Sequence, residues 1–149
     1  MNKPIENYWK TRLEDLKEVL DANNFETFVV GNTDEAKSIV LEKIIPETSP
    51  KSVSWGGSIT FIATGLYDIL KNSKDLKVLD SFEKNLSPEE SLERRRQSLL
   101  VDLFISGTNA VTETGQLVNL DMIGNRISGI TFGPKNVIVI VGSNKIVQD

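Results

Sequence analysis

Apolar positions at the start of the chain recur with a helical period. Ile5, Trp9, Leu13, Leu16 and Leu20 fall three or four apart and share one face, with Glu and Lys on the other. The pattern predicts a helix over Ile5–Asn23, ended by Asn23-Asn24, whose aromatic residue serves the core rather than a ligand. Phe25–Val30 reads as a short strand ending at Gly31. Asn32 then stands as a helix cap, with Glu35 placed to complete a capping box. Ala36, Val40 and Ile44, helped by Ile39, make the buried stripe of that second helix, and Pro46 and Pro50 stop it.

Ser52–Trp55 is a brief strand that runs into Gly56-Gly57-Ser58. A third helix follows, with Ile62, Leu66, Ile69 and Leu70 facing inward, and then a strand over Leu76–Ser81. Ser87-Pro88-Glu89-Glu90 starts a helix with a cap, a proline at the first position and a glutamate at the third. That helix runs to about Leu100. Asp102–Ser106 is a strand ending at Gly107. From Thr108 to Phe132 the apolar runs are short and broken by Gly115, Gly124 and Gly129, which predicts antiparallel strands joined by tight turns. The unbroken apolar run Asn136–Val141 carries the signature of a strand buried on both faces.

Strands alternating with helices predict an α/β fold: an open, largely parallel sheet with helices on both faces and an antiparallel hairpin insertion. The 149 residues suffice for one domain with its own core, and no repeat, low-complexity tract or linker divides them. The chain is therefore expected to be one domain over residues 1–149.

Composition changes this picture mainly by exclusion. Hydrophobic residues at 39% and charged residues at 26% fit a globular chain rather than a disordered one. A net charge of -4 argues against a nucleic-acid partner, yet it allows a small anionic ligand held by a locally positive loop. The polar N-terminus, Met1 to Trp9, lacks the apolar core of a signal peptide, and no apolar run is long enough to cross a bilayer. The expected location is the cytoplasm, with no membrane partner. There is no cysteine and no histidine. Disulfides, thiol nucleophiles, thiolate-held clusters, serine–histidine triads and imidazole metal ligands are all absent from the chain's own chemistry, and no metal site is expected. Carboxylates, Lys, Arg, Tyr, hydroxyls, amides or a borrowed cofactor must carry any reaction.

In open α/β sheets ligands bind outside the carboxyl ends of the strands, and three regions fall there. The first is Gly56-Gly57-Ser58, where glycines admit a ligand close to the backbone and a helix start offers N–H groups to an anion. A tight turn with Ser58 as an ordinary cap explains the same residues. The second is the run from Gly107 to Gly115, followed by Asn119, Asp121, Gly124, Asn125 and Arg126. Asn109, Asn119, Asp121 and Asn125 are candidate ligand contacts. Glu113 is the candidate catalytic carboxylate, because a chain without His or Cys must use one, and Arg126 is the candidate clamp for a substrate carboxylate. Thr114-Gly115 and Gly124-Asn125 also satisfy plain turn chemistry. The third is Gly142-Ser143-Asn144-Lys145, where Asn144 and Lys145 offer an amide and a phosphate-binding or nucleophilic amine, or simply a solvated loop. In Arg94-Arg95-Arg96, the spacing after Leu92 puts at least one arginine near the inward stripe. Such an arginine would brace Glu113 or Asp121, bind a ligand anion, or snorkel at the stripe's edge.

The stretch from Gly107-Thr-Asn-Ala-Val-Thr-Glu-Thr-Gly-Gln-Leu-Val-Asn-Leu to Asp121 resembles the LUD domain of the lactate-utilisation proteins, including their small C-type subunit. So do Gly124-Asn125-Arg126, Gly133-Pro134-Lys135-Asn136-Val137 and the segment from Val141-Gly142-Ser143-Asn144-Lys145 to Val147. Trp55-Gly56-Gly57-Ser58 and the arginine-bearing helix before Asp102 are also similar, so the resemblance covers essentially the whole chain. It implies a NagB/RpiA/CoA transferase-like fold, akin to the ribose-phosphate isomerase and CoA-transferase group. It also implies a role in oxidising L-lactate to pyruvate with iron–sulfur oxidoreductase partner subunits. Glu113-Thr114-Gly115 is similar in form to the Glu, small residue, Gly of CoA transferases. The expected partners are a small anionic substrate or ligand, those iron–sulfur subunits, and a second copy of the chain in a homodimer. Many relatives continue past the Asn-Lys-Ile-Val segment with a further helix, some with a cysteine-containing tail. This chain stops at Asp149, as a short member or a truncated one, and has no thiolates of its own for a cluster. Any iron–sulfur cofactor would belong to partner subunits. Three readings stay open: a small-molecule site, a non-catalytic assembly subunit, and an isomerase- or transferase-like enzyme using Glu113.

Overall fold

The computed structural model describes residues 3–149; Met1 and Asn2, part of the polar N-terminus read above, lie outside the described residues. The chain divides into two compact units. One is built from the chain up to Gly31, Thr108–Asn119 and Val141–Asp149; the other comprises Asn32–Gly107 and Leu120–Ile140.

The larger unit holds the parallel sheet expected from the alternation. Strands β1 (Ser52–Trp55), β2 (Lys77–Leu79), β3 (Leu103–Ser106) and β6 (Asn136–Val139) pair in the order β2-β1-β3-β6, every pair parallel. Side chains alternate across a strand, so each face has its own set. Val53, Trp55, Leu103 and Ile105, all fully buried, pack with Val40, Phe61, Leu66 and Leu70 from the helical segments on one side. On the other side the Ser54 hydroxyl meets the Ser98 hydroxyl at 2.7 Å. The Phe104 ring lies so close to Gly129 that a Cβ there would stand 2.6 Å from it. Helices therefore flank both faces.

The helices follow their local signals at some ends and depart from them at others. The caps hold: Asn32 accepts from the Glu35 N–H at 2.9 Å, and Ser87 and Glu90 form a complete capping box at the start of α6 (Pro88–Gln97). Pro46 does not stop its helix. The segment continues as α2 (Thr33–Ser38), a π-helical stretch Ile39–Ile44 and α3 (Ile45–Thr48). The Ile45 N–H bonds the carbonyl of Val40, one residue further back than in an α-helix, and this wider winding accommodates the proline that would otherwise clash with the preceding turn. Ser49, in left-handed conformation just before Pro50, ends it. The third helix breaks at Gly65 (φ 75) into α4 (Ile59–Ala63) and α5 (Leu66–Lys71). The break rotates the inward face, so Phe61, Leu66 and Leu70 are buried while Ile62 and Ile69 are exposed, against expectation. Along α6 no residue is buried and Leu92 is exposed, so the stripe expected there does not face a core.

Two further expectations fail. The run at Asn136–Val139 is only half-buried, because β6 sits at the sheet's edge beside β3 alone; β3 is the strand buried throughout. The antiparallel element within 108–132 is confined to β4 (Ala110–Thr112) and β5 (Leu117–Val118), while Asn125–Thr131 is helix α7.

The smaller unit packs α1 (Lys3–Ala22) with a sheet of order β5-β4-β7, in which β7 (Ile146–Val147) runs parallel to β4. Leu16, Val111 and Ile146 form its core, bordered by Trp9, Leu13, Leu20 and Leu117. Asn24, at φ 67, closes α1: its N–H bonds the Asp21 carbonyl and that of Phe25 reaches the Leu20 carbonyl, a Schellman arrangement. This explains why Phe25–Val30 is not a strand. The Phe25 N–H turns back to the helix, and the Thr27 N–H donates to the Asp21 carboxylate at 3.0 Å. That carboxylate is held below its ordinary range by its hydrogen bond to Lys17.

Candidate functional site

The loops at the carboxyl ends of β1 and β2, with α6 and the segment 121–126, open onto one cleft of about 370 Å³. Gly57, Ser81, Phe82, Arg95, Asn125 and Arg126 line it, with the loop Asp121-Met122-Ile123. All belong to the larger unit. Of the residues singled out from the sequence, Gly57, Asp121, Asn125 and Arg126 meet here.

Arg126 is the best-anchored of them. Its Nε donates to Asp121 Oδ1 at 2.8 Å and its Nη2 lies 2.7 Å from the same oxygen. The other carboxylate oxygen, Oδ2, accepts from the Ile127 N–H at 2.7 Å. Both side chains are nearly buried, at 12% and 8% exposure. Asp121 thus supplies the side-chain acceptor that Gly124, at the start of α7, cannot. Gly124 and Asn125 serve a helix start rather than the hairpin turn their dipeptide suggests. Gly56 has a related job. A Cβ on it would lie 2.8 Å from Ser106 Oγ and 2.9 Å from Arg126 Cγ, so the glycine makes room for the stem of Arg126.

Ser58 is used as the cap of α4: its Oγ accepts from the Phe61 N–H at 3.1 Å. Its Oγ also lies against Gly107, 2.5 Å from where a Cβ would stand. The turn-and-cap explanation accounts for this residue.

One residue next to the cleft was missed in the sequence, and another was narrowed no further than a triplet. The first is Asp80, directly after β2 and buried. Its Oδ1 accepts from Trp55 Nε1 at 3.1 Å and from the Phe82 N–H at 2.9 Å, and its Oδ2 from the Tyr67 hydroxyl at 3.1 Å. Lys71 lies 3.4 Å from Oδ2. The Tyr67 hydroxyl and this carboxylate raise the Lys71 amine above its ordinary value. Beside Asp80, the Ser81 hydroxyl donates to the Trp55 carbonyl at 2.5 Å. These bonds tie the carboxyl ends of β1 and β2 together, next to the cleft-lining Ser81 and Phe82. Position alone could have pointed to Asp80, a carboxylate at the end of a predicted parallel strand.

The second is Arg95. Of the arginine triplet, Arg94 pairs with Glu83 at 2.8 Å and Arg96 with Glu93 at 3.6 Å. Arg95 bonds only the hydroxyl and carbonyl of Ser91, one turn back. Among the described residues it meets no carboxylate, and it faces the cleft. Neither Glu113 nor Asp121 is braced by this triplet, contrary to one expectation from the spacing; Arg12 and Arg126 do that.

Glu113, Asn109, Asn119, Asn144 and Lys145 belong to the smaller unit. Glu113 is 44% exposed, and its Oε1 takes both contacts from Arg12, Nε at 2.8 Å and Nη2 at 2.7 Å. The Arg12 guanidinium also lies 5.3 Å from the centre of the Trp9 ring. Asn109 donates its backbone N–H to Val118. Asn119 Oδ1 is buried without a hydrogen-bond partner among the described residues. Lys145 is half-buried in the short helical turn after Gly142, and Asn144 in the same turn is exposed. The Glu113-Thr114-Gly115 turn is closed by Asp149, whose carboxylate accepts from the Thr114 hydroxyl at 2.8 Å. That bond holds the Asp149 carboxyl below its ordinary range. Among the described residues, no helix is long and apolar enough to cross a membrane.

The family model described as the LUD domain matches residues 13–149, nearly the whole chain. Comparison with curated proteins and with solved structures returned no match.

Proposed function

The chain belongs to the LUD domain family, which is associated with lactate-utilisation proteins, and from that premise we propose that it binds a small anionic ligand in the cleft beside Arg95 and Arg126. In this reading it serves the oxidation of L-lactate to pyruvate, with iron–sulfur clusters on partner subunits, since this chain has no cysteine to hold one. The observation that carries the reading is Arg95: a guanidinium at the cleft that no carboxylate of the described residues neutralises. A planar guanidinium donates in a fork that fits a carboxylate, and such charge-assisted bonds are about twice as strong as neutral ones. Arg126 is held by Asp121 and shapes the wall beside it.

Calorimetric titration of the protein with L-lactate, pyruvate and sugar phosphates tests this. Binding by the parent protein should weaken by about tenfold or more in Arg95→Ala, the loss expected for a hydrogen bond to a charged group. No heat with any of these ligands would overturn the reading.

A second reading is supported by the free oxygen of Glu113. Both Arg12 contacts fall on Oε1, so Oε2 of this half-exposed carboxylate is open to a substrate among the described residues. That suits a transferase- or isomerase-like enzyme in which Glu113 acts as nucleophile or base. Turnover of a CoA ester or sugar phosphate, abolished in Glu113→Gln, would favour it.

A further inference from the structure

The cleft is larger, and more apolar on one side, than a short hydroxy acid requires. At about 370 Å³ it reaches the size of sites for drug-sized ligands, about 300–1,000 Å³. Its charged lining is largely self-cancelled, because Asp121 and Arg126 neutralise each other and leave Arg95 as the charge without an acidic partner. The apolar side chains of the wall are Phe82, Met122 and Ile123, beside Gly57 and the uncharged polar Ser81 and Asn125. Met122 is 96% exposed and Ile123 51%, on a loop whose base is fixed by the Asp121 bonds to Arg126 and Ile127. An exposed methionine beside an isoleucine, at the mouth of a cleft with one uncompensated cation, is a surface that gains from being covered. The cover must itself be negative at one end.

We propose that this cleft takes an amphiphilic carboxylate, with its head on Arg95 and an apolar chain or ring over Phe82, Met122 and Ile123. The proposal rests on the reading that the cleft is the ligand site, and it names a ligand class larger than lactate. The head is recognised by the guanidinium fork, as any carboxylate would be. Discrimination comes from the body, since burying apolar surface strengthens binding in proportion to the area removed from water.

The test is calorimetric titration of the full chain with L-lactate, butanoate, hexanoate, octanoate and 3-phenylpropanoate, and with hexyl phosphate to separate a phosphate head from a carboxylate one. Affinity should rise along the acids by up to about fourfold for each methylene buried, and octanoate and 3-phenylpropanoate should exceed lactate clearly. Met122→Ser combined with Ile123→Ser should flatten that rise, and an undiminished rise in this variant would overturn the apolar contact. Both side chains are exposed, so the fold should survive, which a thermal melt checks. Arg95→Gln should weaken every acid. Lactate binding lost in Arg95→Gln, with no gain along the series, would overturn the amphiphile and leave the anion site standing. No binding of any acid would overturn both. Tighter binding of hexyl phosphate than of hexanoate and octanoate would overturn the carboxylate head. A change of oligomeric state in the double variant, with the acids unbound, would identify the loop as a protein interface and overturn the proposal.

Discussion

Two arginine–carboxylate pairs grow out of the same polar stretch, and they differ in almost every physical respect. Glu113 meets Arg12 through one oxygen, in the smaller unit, with 44% of its side chain exposed. Asp121 meets Arg126 in the larger unit, at 8% exposure, and its second oxygen caps α7. Water screens the first pair, and among the described residues both Arg12 contacts fall on Oε1 of Glu113. The second is withdrawn from solvent and fully engaged, which makes it a structural element of the cleft wall. A carboxylate's residue type says little about its role; its remaining lone pairs and its solvent say more.

The largest test of that contrast is Asp121→Ala. It removes the carboxylate from an Arg126 guanidinium at 12% exposure, leaving the Leu120 carbonyl beside it, and uncaps α7, and breaking a buried pair from one side costs about 3–5 kcal/mol. Urea unfolding should show that loss, and a cost below about 1 kcal/mol would mean the pair is effectively solvated. Glu113→Gln should change stability by less than about 1 kcal/mol, because exposed pairs contribute little. The small effect should shrink further in high salt, whereas the Asp121 effect should persist.

A third carboxylate extends the comparison to pH. Asp102 sits at the amino end of β3, where its oxygens take Lys135 Nζ at 2.7 Å and the Lys51 N–H at 2.8 Å. First the Lys135 contact, then the Lys51 bond, depress its pKa below the ordinary 3.8. A depressed carboxylate contributes stability that is present above 3.8 and is lost as pH falls through its lower folded value. Asp102→Asn should therefore lower stability near neutral pH and make the acid limb of the pH–stability curve shallower. An unchanged acid slope would show that Asp102 binds its protons alike in the folded and unfolded chain.

Features written within a few neighbouring residues were legible in the sequence. The Asn23-Asn24 stop, the Ser87 capping box and the parallel β-α alternation all rest on short-range chemistry, and all are present. What failed depended on partners further off. Gly124-Asn125 reads as a turn until Asp121, three residues before Gly124, is seen to supply the cap. Asn136–Val139 reads as a central strand until the strand order leaves it at an edge. Ile62 and Ile69 read as inward until Gly65 turns the helix. The candidate site was half legible for the same reason. Gly57, Asp121, Asn125 and Arg126 do line one cleft. Arg95, hidden in a triplet, is distinguished from its neighbours only by which of them find a carboxylate.

The smaller unit is stitched from three stretches of chain, with both segments of the larger unit lying between them. This has a consequence for synthesis on the ribosome. Helix α1 emerges long before the residues that cover its apolar side, Val111 and then Ile146. Its Leu16 stripe must wait, uncovered, while the first and longer segment of the larger unit is made. Contacts so distant in sequence are slow to form, and exposed apolar stripes invite wrong partners in the interval. Helix α1 is thus exposed to such partners for longest within its own unit, and β7, which pairs with β4, is the clasp that ends the wait.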